Sequence, residues 1–259
     1  MCLRSERKRR HWLPGAALAA LLLLAMGRPA SAQENSSDWQ FYFTPYLWMT
    51  GLGMETRGIG SVPSNEMNVD FSQVWDHLNF AFQANLEARK DRFFAMLNFN
   101  YFNLGADEGL SGPVFDHASL DMVGVLASAN VGYTLVKPEP ISFEPFVGVQ
   151  VYSVDVDLSF RGGPSPSASD TKTFVDPMVG FQSRLMLGSD FFVDGLATVG
   201  GFGVNSKLTY QLFGGVGWQA NEWLQVRAGY RHFFLEQSGG KLIRNVTMSG
   251  PIVGATFRF

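Results

Sequence analysis

The chain has 259 residues, 46% hydrophobic and 14% aromatic, with 28 glycines and a formal charge of −3. That length suits one domain, and the lack of a basic excess argues against nucleic-acid binding, which relies on positive surface. The single cysteine, Cys2, excludes a disulfide framework and a cysteine metal site.

The amino terminus reads as an export signal. Arg4, Arg7, Lys8, Arg9 and Arg10 form a basic segment, an apolar run follows from Trp12 to Met26, and Ala30-Ser31-Ala32 makes a small-x-small cleavage site. The apolar run is shorter than the roughly 20 residues a spanning helix needs. Residues 1–32 are therefore expected to be removed, with Ala30 and Ala32 marking the cleavage, and residues 33–259 to form the mature domain. The removed segment holds six of the 20 Lys and Arg and one of the 23 Asp and Glu, so 14 − 22 leaves a mature charge of −8. No later stretch approaches about 18 uninterrupted apolar residues. A soluble periplasmic domain or an outer-membrane barrel remains.

From Trp39 onward the hydrophobic pattern has period two, in segments long enough for the ~9–11 residues of a tilted transmembrane strand. The first is 39–49, with Trp39, Phe41, Phe43, Pro45, Leu47 and Met49 on one face. Residues 79–102 form a hairpin in which Phe80, Phe82, Ala84, Leu86 and Ala88, then Phe93, Ala95, Leu97, Phe99 and Tyr101, oppose polar residues. Further segments follow at 123–135, 143–154, 174–187, 191–201, 207–218, 224–234 and 251–259. Between the first two strands, 71–78 suits a short amphipathic helix capped by Ser72.

Tight turns at Lys90-Asp91, 137–140, 188–190 and 220–222 alternate with longer loops at 50–78, 105–117, 162–171 and 238–245. Short turns on one rim and long loops on the other mark the periplasmic and extracellular sides of an outer-membrane barrel. On that placement Trp39, Phe93, Tyr133, Phe143, Phe191, Trp218 and Phe259 ring the lower rim, and Phe80, Phe82, Phe99, Tyr101, Tyr210 and Phe234 the upper. These are the two interfacial girdles. The fold class expected is all-β: a transmembrane up-and-down antiparallel β-barrel of about ten strands, with eight or twelve as the alternatives. A closed barrel satisfies every backbone amide inside hydrocarbon. The location that follows is the outer membrane of a Gram-negative cell, with its lipid and lipopolysaccharide as surroundings.

The closing "GATFRF" is similar to the ending of bacterial outer-membrane barrels, whose last strand ends on an aromatic residue. That resemblance implies that Phe257 and Phe259 form a signal read by the barrel-assembly machinery. More narrowly, "FTPYLWMTGLGM", "VDFSQVWDHLNFAFQANLEARK" and "GGFGVNSKLTYQLFGGVGW" resemble an uncharacterised proteobacterial outer-membrane β-barrel family. The broader likeness is to OmpA-type and OmpW-type small barrels, whose members include anchors, narrow channels and adhesion factors. It implies a barrel and no particular substrate.

The inner faces carry the candidate site, an interior charge network of Glu87, Arg89, Arg92, Glu144, Asp176, Arg184, Asp194, Arg227, Arg231 and Arg258. Charges so confined must pair. They serve either as a salt-bridged filling or as the wall of a narrow, porin-like water path whose excess arginines favour anions. The inner-face glycines Gly148, Gly180, Gly200, Gly215, Gly217 and Gly254 leave room for water or for a long arginine. A surface-binding or adhesion role for the long loops, with an unknown ligand, is the second function class. A rim hydrolase built from Asp155, Asp157, Asp76-His77 or His117-Ala118-Ser119 is the third. Its motifs are fragments, so no enzyme is expected. No cofactor is implied, and no spacing suggests a metal.

Overall fold

The computed structural model describes residues 39–56, 66–109, 117–136, 140–161, 167–237 and 243–259. The expected signal segment and the tips of the long loops lie outside the described residues. Ten strands close into one antiparallel barrel, as the alternation predicts. In chain order the wall is β1 (Gln40–Trp48), β4 (Leu78–Lys90), β5 (Phe93–Gly109), β6 (His117–Tyr133), β7 (Ile141–Arg161), β8 (Ser167–Leu187), β9 (Phe191–Gly200), β10 (Ser206–Asn221), β11 (Leu224–Gln237) and β12 (Ile243–Arg258). β12 pairs back onto β1, with Phe43 opposite Phe257 and Tyr42 opposite Arg258. Closure removes the edge that an open sheet would expose to lipid.

The first long loop is more ordered than the sequence suggests. It holds β2 (Gly51–Thr56) and β3 (Glu66–Val69), and then the helix α1 (Phe71–Asp76). β2 carries the line of β1 upward along β12, from Ser249↔Gly51 to Ile243↔Thr56. The helix begins at Phe71, but Ser72 does not cap it. Its cap is Asp70, whose N–H donates to Gln73 Oε1 at 3.0 Å, so Ser72 lies inside the helix. The Asp at N-cap and Gln at N3 form a capping box, which satisfies more donors than Ser72 could.

The β1–β4 seam is short. Its register runs from Gln40↔Arg89 to Pro45↔Ala84 and stops, because proline has no N–H to continue the ladder. Above it the Gln83 side chain accepts the Trp48 N–H at 2.6 Å in place of a strand partner.

β7 and β8 are 21 residues each, about twice the length needed to cross the hydrocarbon. Their upper halves therefore project beyond the membrane: β7 runs on past the expected 143–154 to Arg161, and residues 167–171, expected to be loop, are strand. β9 is the exception. It ends at Gly200, and a tight turn with Gly201, Phe202 and Gly203 at positive φ returns the chain to β10.

The outer wall is apolar where lipid must touch it. Leu86, Leu97, Val131, Val147, Val216 and Val253 are all exposed on it. Trp39, Phe93, Phe191, Trp218 and Phe259 are exposed at the short-turn rim, and Phe80 and Phe99 higher up. A closed barrel with an exposed apolar belt is an integral membrane protein, and this one belongs in the outer membrane.

Candidate functional site: a chamber closed from above

Inner-face residues of all ten wall strands enclose a cavity of about 560 Å³. It reaches from Gln40, Asp91 and Ser142 at the short-turn rim up to Arg231 and Ile252. Every second residue of each strand points inward, and the wall so formed mixes Asn, Gln, Thr and charged side chains with an apolar patch of Met96, Phe146, Met178 and Leu196.

Two charge clusters occupy the lower level. Arg89 holds Glu144 through both terminal nitrogens, at 2.6 and 2.7 Å, and its Nε also bonds Glu87. Gln182 Nε2 and the Thr134 hydroxyl donate to the same Glu144 carboxylate at 2.8 and 2.9 Å. This fork-on-fork geometry is the strong form of an arginine–carboxylate pair. In the second cluster Arg227 and Arg184 share Asp194, at 3.2 and 3.5 Å. Arg184 also lies over the Phe192 ring, 4.0 Å from its centroid. Arg227 donates to Thr256, whose hydroxyl pairs with Thr44 at 2.8 Å. Arg231 stands higher. It is 4% exposed and bonds Tyr46, Asn100 and Gln211, none of them a carboxylate.

Three expected members behave differently. Arg92 is not in the lumen: it is exposed in the turn after β4 and donates to the carbonyls of Thr134 and Leu135 at 3.4 and 3.3 Å. The two-residue turn places its Cα at the rim, where solvent and free carbonyls are closer than the chamber. Asp176 is fully buried outside the open cavity. Its Oδ1 accepts the backbone N–H groups of Asn205 and Ser206 at 2.9 and 3.0 Å, so it fastens the short β9–β10 turn to β8. Arg258 faces Tyr42 in the register at the lower rim. The inner glycines also differ from expectation. Gly180 and Gly217 are covered by the Phe146 and Phe192 rings of the next strand, which leaves no vacancy there for water or arginine.

Above Arg231 the interior changes character. Trp48, Leu126, Tyr152, Phe174, Phe233 and Leu235 form a buried cluster, with Tyr46, Val246, Met248 and Ile252 packed around it. All lie on inner-face positions, so the upper half of the barrel is filled by an apolar core. Most of the charges were expected in the lower half, with Asp176 and Arg231 higher, and the filling above Arg231 is apolar. A signal for this plug was present in the chain. At Leu47-Trp48, Val125-Leu126, Val151-Tyr152, Phe174-Val175 and Phe233-Phe234 the alternation lapses and both faces are apolar.

The rim residues considered for hydrolysis are engaged separately. Asp155 accepts from the Thr171 hydroxyl at 2.9 Å, and His77 Nδ1 lies 2.8 Å from its own helix's Gln73 carbonyl. The His117 side chain lies outside the described residues.

No protein-family model and no curated protein matches the chain. Similar solved structures include the outer-membrane protease OmpT from Escherichia coli, at 10% identity over 88% of this chain and 99% of that one, with a TM-score of 0.48. The attachment invasion locus protein Ail of Yersinia pestis is 13% identical over 86% and 99%, with a TM-score of 0.36. The translocator domain of the autotransporter NalP from Neisseria meningitidis is 12% identical over 94% and 96%, with a TM-score of 0.43. At these values the likenesses bring no activity to this chain.

Proposed function

We propose that the protein is a closed structural barrel of the outer membrane that does not conduct solutes. The observation that carries this reading is the apolar cluster around Trp48 and Phe233, which fills the upper interior above a chamber of paired charges. Small barrels are generally filled by side chains rather than hollow. The Arg89–Glu144 and Arg184–Asp194–Arg227 groups then brace the lower wall, and the resemblance to OmpA-type and OmpW-type small barrels agrees with an anchoring role. Residues 1–32 act as the cleaved export signal. Phe257 and Phe259 present the assembly signal, at a seam where Phe41 and Phe259 exchange backbone bonds of 3.3 and 2.9 Å.

Refolded protein in a planar lipid bilayer gives no single-channel steps on this reading. Anion-selective steps would instead favour a narrow channel lined by Arg184, Arg227 and Arg231. The length of β5 to β8 favours a second, compatible role as a platform for a surface ligand, since their hairpins stand above the membrane. Trimming β7 and β8 to membrane height abolishes such binding and leaves the barrel folded.

A further inference from the structure

On the outer wall, facing lipid, His232 of β11 stands directly opposite Ser249 of β12. Ser249 Oγ is 2.6 Å from His232 Nδ1, and the Tyr210 hydroxyl of β10 is 3.3 Å from Nε2. With hydrogen on Nε2, the imidazole donates to Tyr210 and leaves Nδ1 free to accept the serine proton. That arrangement joins a hydroxyl nucleophile, a base and a group that fixes the tautomer of the base. The chamber and plug use none of these three side chains.

Their height is specific. Going up β12, the outward residues are Phe257, Ala255, Val253 and Pro251, and Ser249 is the first polar one, followed by Thr247 and Asn245. On β11 the series Leu224, Val226, Ala228 and Tyr230 gives way at His232. The pair therefore sits where the hydrocarbon belt meets the polar zone, the depth at which the ester carbonyls of a lipid lie. Below it, exposed Leu47, Tyr230 and Val253 offer a wall to acyl chains. Beside it is a groove of about 450 Å³, lined by Gly51, Gly53, Asn68, Phe234, Thr247 and Ser249. Gly51 and Gly53 let the Val69 carbonyl and the Asn68 side chain of β3 pack close against β2, which sets Asn68 at the groove.

We propose that this site hydrolyses the acyl ester of an outer-leaflet lipid. Ser249 Oγ attacks the ester carbonyl carbon as its proton passes to His232 Nδ1. The carbonyl–alkoxy C–O bond then breaks, and the alcohol leaves with that proton. Water, deprotonated by His232, cleaves the acyl-serine to a free fatty acid and restores the hydroxyl. Thr247 and Asn68 are the groove donors available to the oxyanion, and Tyr210 is a positioning residue. This departs from the expectation that the chain is no enzyme.

The test uses full-length mature protein refolded from inclusion bodies, so that no other membrane lipase is carried along. It is placed in vesicles of phosphatidylethanolamine or of lipopolysaccharide, and released fatty acid is measured. A fluorophosphonate probe reports the serine by mass spectrometry. The expected result is release from one of the two vesicle types, which identifies the lipid, together with labelling at Ser249. Ser249→Ala abolishes both signals. His232→Gln lowers turnover by about 10²–10⁴-fold, the usual contribution of a general base. Tyr210→Phe lowers kcat with KM unchanged, a split that loss of wall packing alone would not give. Absence of fatty acid from both vesicles with no label on Ser249, or undiminished release by a folded Ser249→Ala protein, overturns the proposal. Heat-modifiable migration on gels shows that each variant is folded.

Discussion

The guanidinium carbon of Arg231 lies 4.4 Å from the centroid of the Trp48 ring. That contact joins two parts of the interior, a chamber below that holds the paired charges beside a smaller apolar patch of Phe94, Met96, Phe146 and Met178, and a closed aromatic core above. An arginine stacked on an aromatic face is attracted by the ring quadrupole. Here it also roofs the chamber, since Arg231 reaches Gln211 on the neighbouring β10 at 2.6 Å, Tyr46 of β1 at 3.2 Å and Asn100 of β5 at 3.4 Å.

Trp48→Ala removes the largest member of the plug. A buried tryptophan truncated to alanine costs about 3–5 kcal/mol, so the heat-modification midpoint falls. The double variant Trp48→Ala/Phe233→Ala is expected to admit single-channel steps in a planar bilayer where the unaltered protein shows none. Steps in the double variant alone would identify this cluster as the seal.

The closed barrel was legible in the sequence and the apolar filling of its upper interior was not, for a physical reason. Alternation reports which residues differ between the two faces, and strands such as Leu224–Gln237 keep a contrast between Val226 and Arg227 in their lower half. Higher up, Phe233 and Phe234 are chemically alike, so a period-two pattern carries no information about which one is inside. Arg89, Glu144, Asp194 and Arg227 could be picked out because they contrast sharply with their neighbours along the strand. Arg92 misled because parity continues through a turn in the sequence but not in space. Asp176 misled because its partners are backbone N–H groups of a turn, which side-chain chemistry cannot announce. The His232–Ser249 pair depends on the β11–β12 register, which is a property of two strands together.

The two charge clusters predict unequal penalties. Glu144→Gln removes the anion that Arg89, Gln182 and Thr134 all address, and lost bonds to a charged group cost about 1.5–3 kcal/mol each. Arg184→Gln leaves Asp194 still paired with Arg227, so its effect is smaller. Urea midpoints of folding in detergent micelles should rank Glu144→Gln below Arg184→Gln, with both below the unaltered protein. The opposite order would mean that the stacking of Arg184 on Phe192 outweighs its ion pair.

Asp176→Ala strips the acceptor from two backbone donors at the β9–β10 turn. Each buried donor left without a partner costs about 1–3 kcal/mol, but the loss is local because the rest of the ladder is untouched. Hydrogen exchange at the Asn205 and Ser206 amides is expected to speed up sharply, while exchange in β11 and β12 stays unchanged. Asp176→Asn, which keeps one carbonyl oxygen in place, should restore most of the protection.

Gly124 and Gly214 test how the aromatic rings fill the wall. A β-carbon at Gly124 would fall on the Phe102 ring, whereas one at Gly214 meets nothing within 4 Å. Phe102 points inward from β5 beside Gly124 of β6, so the ring replaces the side chain that the glycine lacks, a device that stabilises glycine positions in sheets. Overpacking of this kind costs about 1–3 kcal/mol. Gly124→Ala should therefore lower the urea midpoint, while Gly214→Ala, on the lipid-facing side, leaves it unchanged or slightly raised. The variant pair Gly124→Ala/Phe102→Leu is expected to recover part of the loss, because the smaller side chain vacates the space that the new methyl group needs. Recovery would show that the penalty comes from the ring itself, and its absence would place the cost in the β6 backbone.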